Sequence, residues 1–214
     1  DLSKYRAQFR AQHGLNSEAK VIMFAPTFRE GSVNGKRTIF SEVWSLDFKR
    51  LLENLKKRFG GEWYLCLRVH PQLASKMEKY RDEQLQGHLI DASQEDDMYE
   101  ILAGCDAFIT DYSSAAFDAA VMKVPIFLYA EDYGEYEKER GKLLWDMRKL
   151  PFPLSTSKEE LEEKIQGFEE SIYQEKLDEL FLKTEMVEDG KASARVVDWI
   201  GKWIQNGKKI SNRT

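Results

Sequence analysis

Five short apolar runs, at residues 21–25, 63–69, 88–91, 107–110 and 125–129, alternate along this chain with amphipathic segments. Short apolar runs of this kind read as strands covered on both faces, and strands that alternate with helices join in parallel. The fold class is therefore α/β with a parallel sheet. The clearest crossover helix lies between the first two runs, where Phe48, Leu51, Leu52, Leu55 and Phe59 keep helical spacing and Gly60-Gly61 ends it. From Ser157 onward the pattern is helical and charged, carried by Leu161, Ile165 and Phe168, then Leu177, Leu180 and Phe181, then Ala192, Val196, Trp199 and Ile200. The expected organisation is a sheet domain over residues 1–156, helices over 157–207 packed on that same domain, and a tail at 208–214 that frays. Residues 31–36, rich in glycine with Ser32 and Asn34, are expected as a flexible loop.

Composition narrows the partners. With 32 basic and 37 acidic residues the net charge is −5, which argues against a general nucleic-acid binder, so an anion has to be held by a built site. Cys66 and Cys105 sit in or beside apolar runs without metal-type spacing and read as buried, reduced thiols, which favours the cytoplasm. No apolar run approaches the roughly 18 residues of a membrane span, and no signal peptide opens the chain. It begins with Asp1, as a piece of a longer protein would. A Walker loop, a Gly-x-Gly-x-x-Gly turn and a Cys-x-x-Cys pair are all missing from the sequence.

Ligands of a parallel sheet bind beyond the carboxyl ends of its strands, and three ends here are equipped. The richest is Ile109-Thr110-Asp111-Tyr112-Ser113-Ser114-Ala115-Ala116-Phe117-Asp118, where a buried strand meets a helix. Ser113 or Ser114 is expected as the N-cap, leaving other helix N–H groups to face an anion. Asp118 comes one turn after Ser114 on the same face. Phosphate beside the serines and a sugar diol beside the carboxylate would describe a nucleotide, although a plain N-cap with a solvated Asp118 fits the same residues. The first strand runs into Ala25-Pro26-Thr27-Phe28-Arg29, where Pro26 fixes the turn and Thr27 and Arg29 offer a hydroxyl and a guanidinium. The second ends in Arg68-Val69-His70-Pro71, and strand alternation sends Arg68 and His70 to one side. Taken singly, His70 before a proline reads first as a hydrogen-bonded structural histidine, and Tyr112 as packing. Glu95, Asp96 and Asp97 read as a helix start and not as a metal site. The acidic stretch 131–137 reads as a mostly solvated loop, and His13 and His88 have no matching context.

In order, Ala25-Pro26-Thr27-Phe28-Arg29, Arg68-Val69-His70-Pro71, Ile109-Thr110-Asp111-Tyr112-Ser113-Ser114 with Phe117-Asp118, Glu135-Tyr136 leading to Arg140-Gly141, and Asp189-Gly190-Lys191-Ala192-Ser193 resemble the CDP-glycerol glycerophosphotransferases. These enzymes build the poly(glycerol phosphate) chains of teichoic acid in Gram-positive bacteria. The resemblance spans nearly the whole chain. It implies a Rossmann-like parallel sheet forming the C-terminal, donor-binding half of a GT-B fold, with C-terminal helices. Carried over residue by residue, it implies that CDP-glycerol is held by Pro26, Thr27, Arg68, Val69, His70, Ser113, Ser114 and Asp118, with Arg29 and Asp111 as further candidates. The chain departs at Lys142-Leu143-Leu144, where the family tends to an aromatic pair.

The reaction so implied is attack by a terminal hydroxyl of a poly(glycerol phosphate) or related lipid-linked acceptor on the β-phosphorus of CDP-glycerol, with CMP leaving and positioning and charge stabilisation dominating. His70 would be the catalytic residue, stabilising or protonating the departing phosphate, and Arg68 would pair with the diphosphate. A second essential histidine belongs to the N-terminal domain and has no counterpart here, so the chain alone is expected to fold yet not to turn over. CDP-glycerol is a donor substrate, and no cofactor or metal is implied. The whole protein is expected at the inner face of the cell membrane. Two rival readings share these residues: a GT-B glycosyltransferase or epimerase using a UDP-sugar, and a non-catalytic nucleotide-binding module.

Overall fold

The structure, a computed structural model, describes residues 2–27, 30–33, 36–39, 46–69, 85 and 87–211. By contact density the chain divides into two compact units, residues 1–177 and 178–214.

The first unit opens with helix α1 (Leu2–Gln12) and is built on a parallel six-stranded sheet of β1 (Lys20–Phe24), β4 (Trp63–Leu67), β5 (Leu89–Asp91), β6 (Ala107–Thr110), β7 (Ile126–Tyr129) and β8 (Leu154–Ser155). Their spatial order is β5-β4-β1-β6-β7-β8. The chain thus lays strands outward from β1 on one side, then returns to lay β6 on the other. This is the Rossmann order, and its reversal opens a crevice at the carboxyl ends of β1 and β6. Val21, Ile22, Met23, Leu65, Cys66, Phe108, Ile109 and Phe127 are fully buried, as continuous apolar strands covered by helices require. Each large side chain so buried contributes about 1.5–3 kcal/mol.

The crossover helix forms where the spacing placed it, as α2 (Phe48–Phe59), with Phe48, Leu51 and Leu55 buried. Asp47 caps it by accepting from Arg50 N at 3.0 Å, and Gly60 and Gly61 leave it with φ of 66° and 80°, a region glycine enters without strain. Helix α3 (Met98–Gly104) starts at Asp97, whose Oδ1 accepts from Tyr99 N and Glu100 N. The acidic cluster is therefore a cap, as expected of a helix start. Helices α4 (Ala115–Val121), α5 (Tyr133–Arg140) and α6 (Lys158–Gln166) complete the layers, and α7 (Glu170–Lys183) begins in this unit with Tyr173 donating to Val124 O at 2.8 Å. Cys66 and Cys105 are free, buried thiols, and burial pushes the Cys105 thiol above its ordinary range.

Two local expectations are corrected, and one strand is added. Residues 31–36 are not a plain loop: β2 (Glu30–Val33) and β3 (Lys36–Ile39) pair antiparallel, with Val33 opposite Lys36. The intervening Asn34-Gly35 lies outside the described residues, but that dipeptide is a common hairpin connection. The acidic stretch 131–137 enters α5, because Tyr136 stacks on Tyr112 at 3.6 Å between centroids and Arg148 lies over Tyr133. Strand β8 is a two-residue edge that periodicity does not signal.

In the second unit, α8 (Ala192–Ser211) carries a row of exposed apolar side chains, with Trp199 66% and Trp203 68% exposed. Asp189 fixes its start by accepting from Lys191 N and the Arg195 guanidinium. No helix among the described residues is long and apolar enough to cross a membrane.

Candidate functional site

The crevice floor is made by Thr110, which ends β6, and Asp111 just beyond it. Thr110 Oγ1 donates to Ala25 O at 2.6 Å. Asp111, only 4% exposed, accepts at Oδ1 from both Thr27 N and Tyr112 N, each at 2.7 Å. A buried carboxylate holding two backbone N–H groups is a fastening. It pins the turn after β1, with Pro26 and Thr27 half-buried upon it, to the end of β6. Asp111, carried into the site by the motif, therefore shapes it from beneath.

Above the floor the side chains open outward. Ser114 stands at the N-cap of α4 with helical φ and ψ and makes no side-chain cap bond; Ser113 Oγ instead accepts from Ala115 N at 3.2 Å. The serine capping expected of this pair is thus done weakly by Ser113, which leaves the exposed Ser114 hydroxyl to solvent or a ligand. Asp118 is exposed on the first turn of α4.

The end of β4 is tied to the loop after β5. Arg68 Nη1 donates to Ala92 O at 2.7 Å, leaving its other guanidinium N–H groups to serve an anion. Val69 N donates to the buried Ser93 Oγ at 3.2 Å, so its amide braces the turn. His70 and Arg29 lie outside the described residues. Tyr112 packs on Tyr136 and donates to Asp132 Oδ1 at 2.9 Å, in line with a packing role.

Two features escaped the sequence. Tyr99, 52% exposed on α3, reaches Asp118 Oδ2 with its hydroxyl at 3.4 Å. The adjacent Asp118 carboxylate pushes the Tyr99 phenol above its ordinary value. On the other flank of the serines lies a hollow of about 310 Å³, walled by Phe117, Leu143, Leu144, Trp145 and Phe152. Neither feature has a local sequence signature, since each joins residues from separate elements.

A parallel sheet in this order, with hydroxyls, a guanidinium and carboxylates following the ends of its central strands, defines a Rossmann-like α/β domain. The chain belongs to the CDP-glycerol:poly(glycerophosphate) glycerophosphotransferase family, whose profile matches residues 2–202. It is 33% identical over 205 residues to a teichoic acid poly(glycerol phosphate) polymerase of Staphylococcus epidermidis, covering 94% of this chain and 27% of that one. A teichoic acid poly(ribitol-phosphate) polymerase of Bacillus spizizenii is 31% identical over 86% of this chain and 28% of its own length. Among solved structures, the wall teichoic acid polymerase TagF matches in a histidine-to-asparagine variant soaked with CDPG. That match has TM-score 0.68 and 31% identity, over 95% of this chain and 47% of that one. The chain thus spans between about a quarter and a half of the length of these relatives.

Proposed function

We propose that this chain is the donor-binding half of a glycerophosphotransferase that moves glycerol phosphate from CDP-glycerol to a teichoic-acid-type polymer and releases CMP. One observation carries the reading: at the switch point Asp111 and Thr110 hold the backbone from below while Ser113, Ser114 and Asp118 are left presented above it. Family membership and the CDPG-soaked relative support a cytidine donor. In this reading Ser113 and Ser114 donate to the diphosphate, the spare N–H groups of Arg68 neutralise it, Asp118 accepts from the ribose diol, and Pro26 and Thr27 form the facing wall. His70 hydrogen-bonds or protonates the phosphate that leaves with CMP, and the acceptor hydroxyl loses its proton to a group in a second, N-terminal GT-B half. The donor carries the activated bond itself, so no cofactor is called on. The acceptor is a lipid-linked poly(glycerol phosphate) or a close relative, which puts the whole protein on the inner membrane face; the two free thiols suit a reducing compartment.

Calorimetric titration with CMP, CDP-glycerol, CDP-ribitol and a UDP-sugar tests the donor. CMP and CDP-glycerol are expected to bind; preference for the UDP-sugar would overturn the reading, and preference for CDP-ribitol would move it to the ribitol enzymes. Incubated with CDP-glycerol and a glycerol phosphate primer, the isolated chain is expected to release no CMP above background, and joining an N-terminal half is expected to restore release. In that joined enzyme, His70→Ala should depress turnover far more than it lowers the melting temperature. Near-normal turnover per folded molecule would make His70 structural.

A further inference from the structure

Tyr99 is out of place for a packing residue. The residue is more than half exposed, and among the described residues its hydroxyl meets an exposed carboxylate at 3.4 Å, a long distance for a hydroxyl donor. Such a bond between solvated groups contributes little to stability and exchanges readily for a ligand.

Its location, by contrast, is held firmly. Helix α3 begins just beyond the carboxyl end of β5, on the ligand side of the sheet. Asp97 caps it directly on Tyr99 N at 2.7 Å. The loop leading to it is tied to the end of β4 through Arg68 to Ala92 O and Val69 N to Ser93 Oγ, and Ser93 N in turn donates to Asp91 Oδ1 at 3.0 Å. A rigid mount therefore carries a loosely engaged aromatic ring to Asp118, the carboxylate one turn along α4 from the paired serines. An aromatic face beside a carboxylate acceptor is the pairing that a nucleoside asks for, one for its base and one for its diol.

We infer that Tyr99 is a nucleoside-recognition residue of this site: its ring offers a face to the base, and its hydroxyl keeps Asp118 turned toward the ribose diol. This rests on the donor reading above and extends it to a residue on another helix. The two roles separate by substitution, because Tyr99→Phe keeps the ring and loses the hydroxyl, whereas Tyr99→Ala loses both.

The test is calorimetric titration of the parent chain and both variants with CMP and with inorganic pyrophosphate, alongside thermal melts. CMP affinity is expected to fall about tenfold in Tyr99→Ala, from the lost base contact, and less, about threefold, in Tyr99→Phe. Pyrophosphate affinity and melting temperature are expected to hold in both. Unchanged CMP binding in Tyr99→Ala overturns the inference and leaves the donor reading standing. Equal losses for CMP and pyrophosphate make Tyr99 a support for the site's shape and overturn a nucleoside role. A parent chain that binds neither ligand overturns the donor reading and the inference together.

Discussion

Within one short stretch, Thr110 and Asp111 behave differently from Ser113, Ser114 and Asp118, although both groups are hydroxyls and carboxylates. The inner pair is buried and accepts or donates to backbone in three bonds of 2.6 to 2.7 Å, two of which join the ends of β1 and β6. The outer trio is half-buried to exposed and holds one weak cap contact and one long bond to Tyr99. Residue type therefore does not assign a role here; burial does. The inner pair ties the strand ends together, and the outer trio is left open for the ligand proposed above.

The sharpest way to break this contrast is Asp111→Ala. It leaves Thr27 N and Tyr112 N without their carboxylate in a buried setting, for an expected loss of about 2–4 kcal/mol in urea unfolding. A midpoint matching the parent would show that the floor is not fastened by Asp111. Next comes the double change of Ser113 and Ser114 to Ala. It should weaken CMP binding by about 1–3 kcal/mol while lowering the urea midpoint only slightly, through the lost Ser113 cap. Unchanged CMP affinity would remove the serines from the phosphate site. The smallest effect is expected away from the crevice, at the start of α6, where an exposed carboxylate does act as a fastening. Glu160 accepts from Thr156 N and Oγ1 at 2.7 and 3.0 Å, and these bonds hold its carboxyl below the ordinary glutamate range. The stabilisation is then full above that ordinary range and fades as pH falls through the lowered value. Glu160→Gln should cost about 0.5 kcal/mol near neutrality and nothing in acid. A penalty that persists in acid would show that the charge is not the source.

The sheet was legible because a strand buried on both faces must be apolar throughout, so five of its six strands stood out as runs. The sixth, β8, escaped because two residues have no period. The hairpin of β2 and β3 was hidden by polar composition, and α5 by acidity that masked the Tyr112 and Tyr136 stack. The positions of Pro26, Thr27, Ser113 and Ser114 just past the carboxyl ends of strands, and of Asp118 on the helix that follows, were legible from the strand and helix pattern. The split between Asp111 and Asp118 was not readable, because burial is a property of the assembled sheet. Tyr99 was invisible for the same reason, its partner lying 19 residues away on another helix.

The two buried thiols give the chain a practical property. Its sequence holds two cysteines, both sealed in the core, and burial keeps Cys105 protonated and so poorly reactive toward labels. A cysteine introduced at Leu144, which is 92% exposed on the rim of the hollow beside Ser113, would be the one thiol open to a fluorophore. The folded protein thus supplies a silent background for an optical reporter placed beside Ser113, with no native cysteine to remove first.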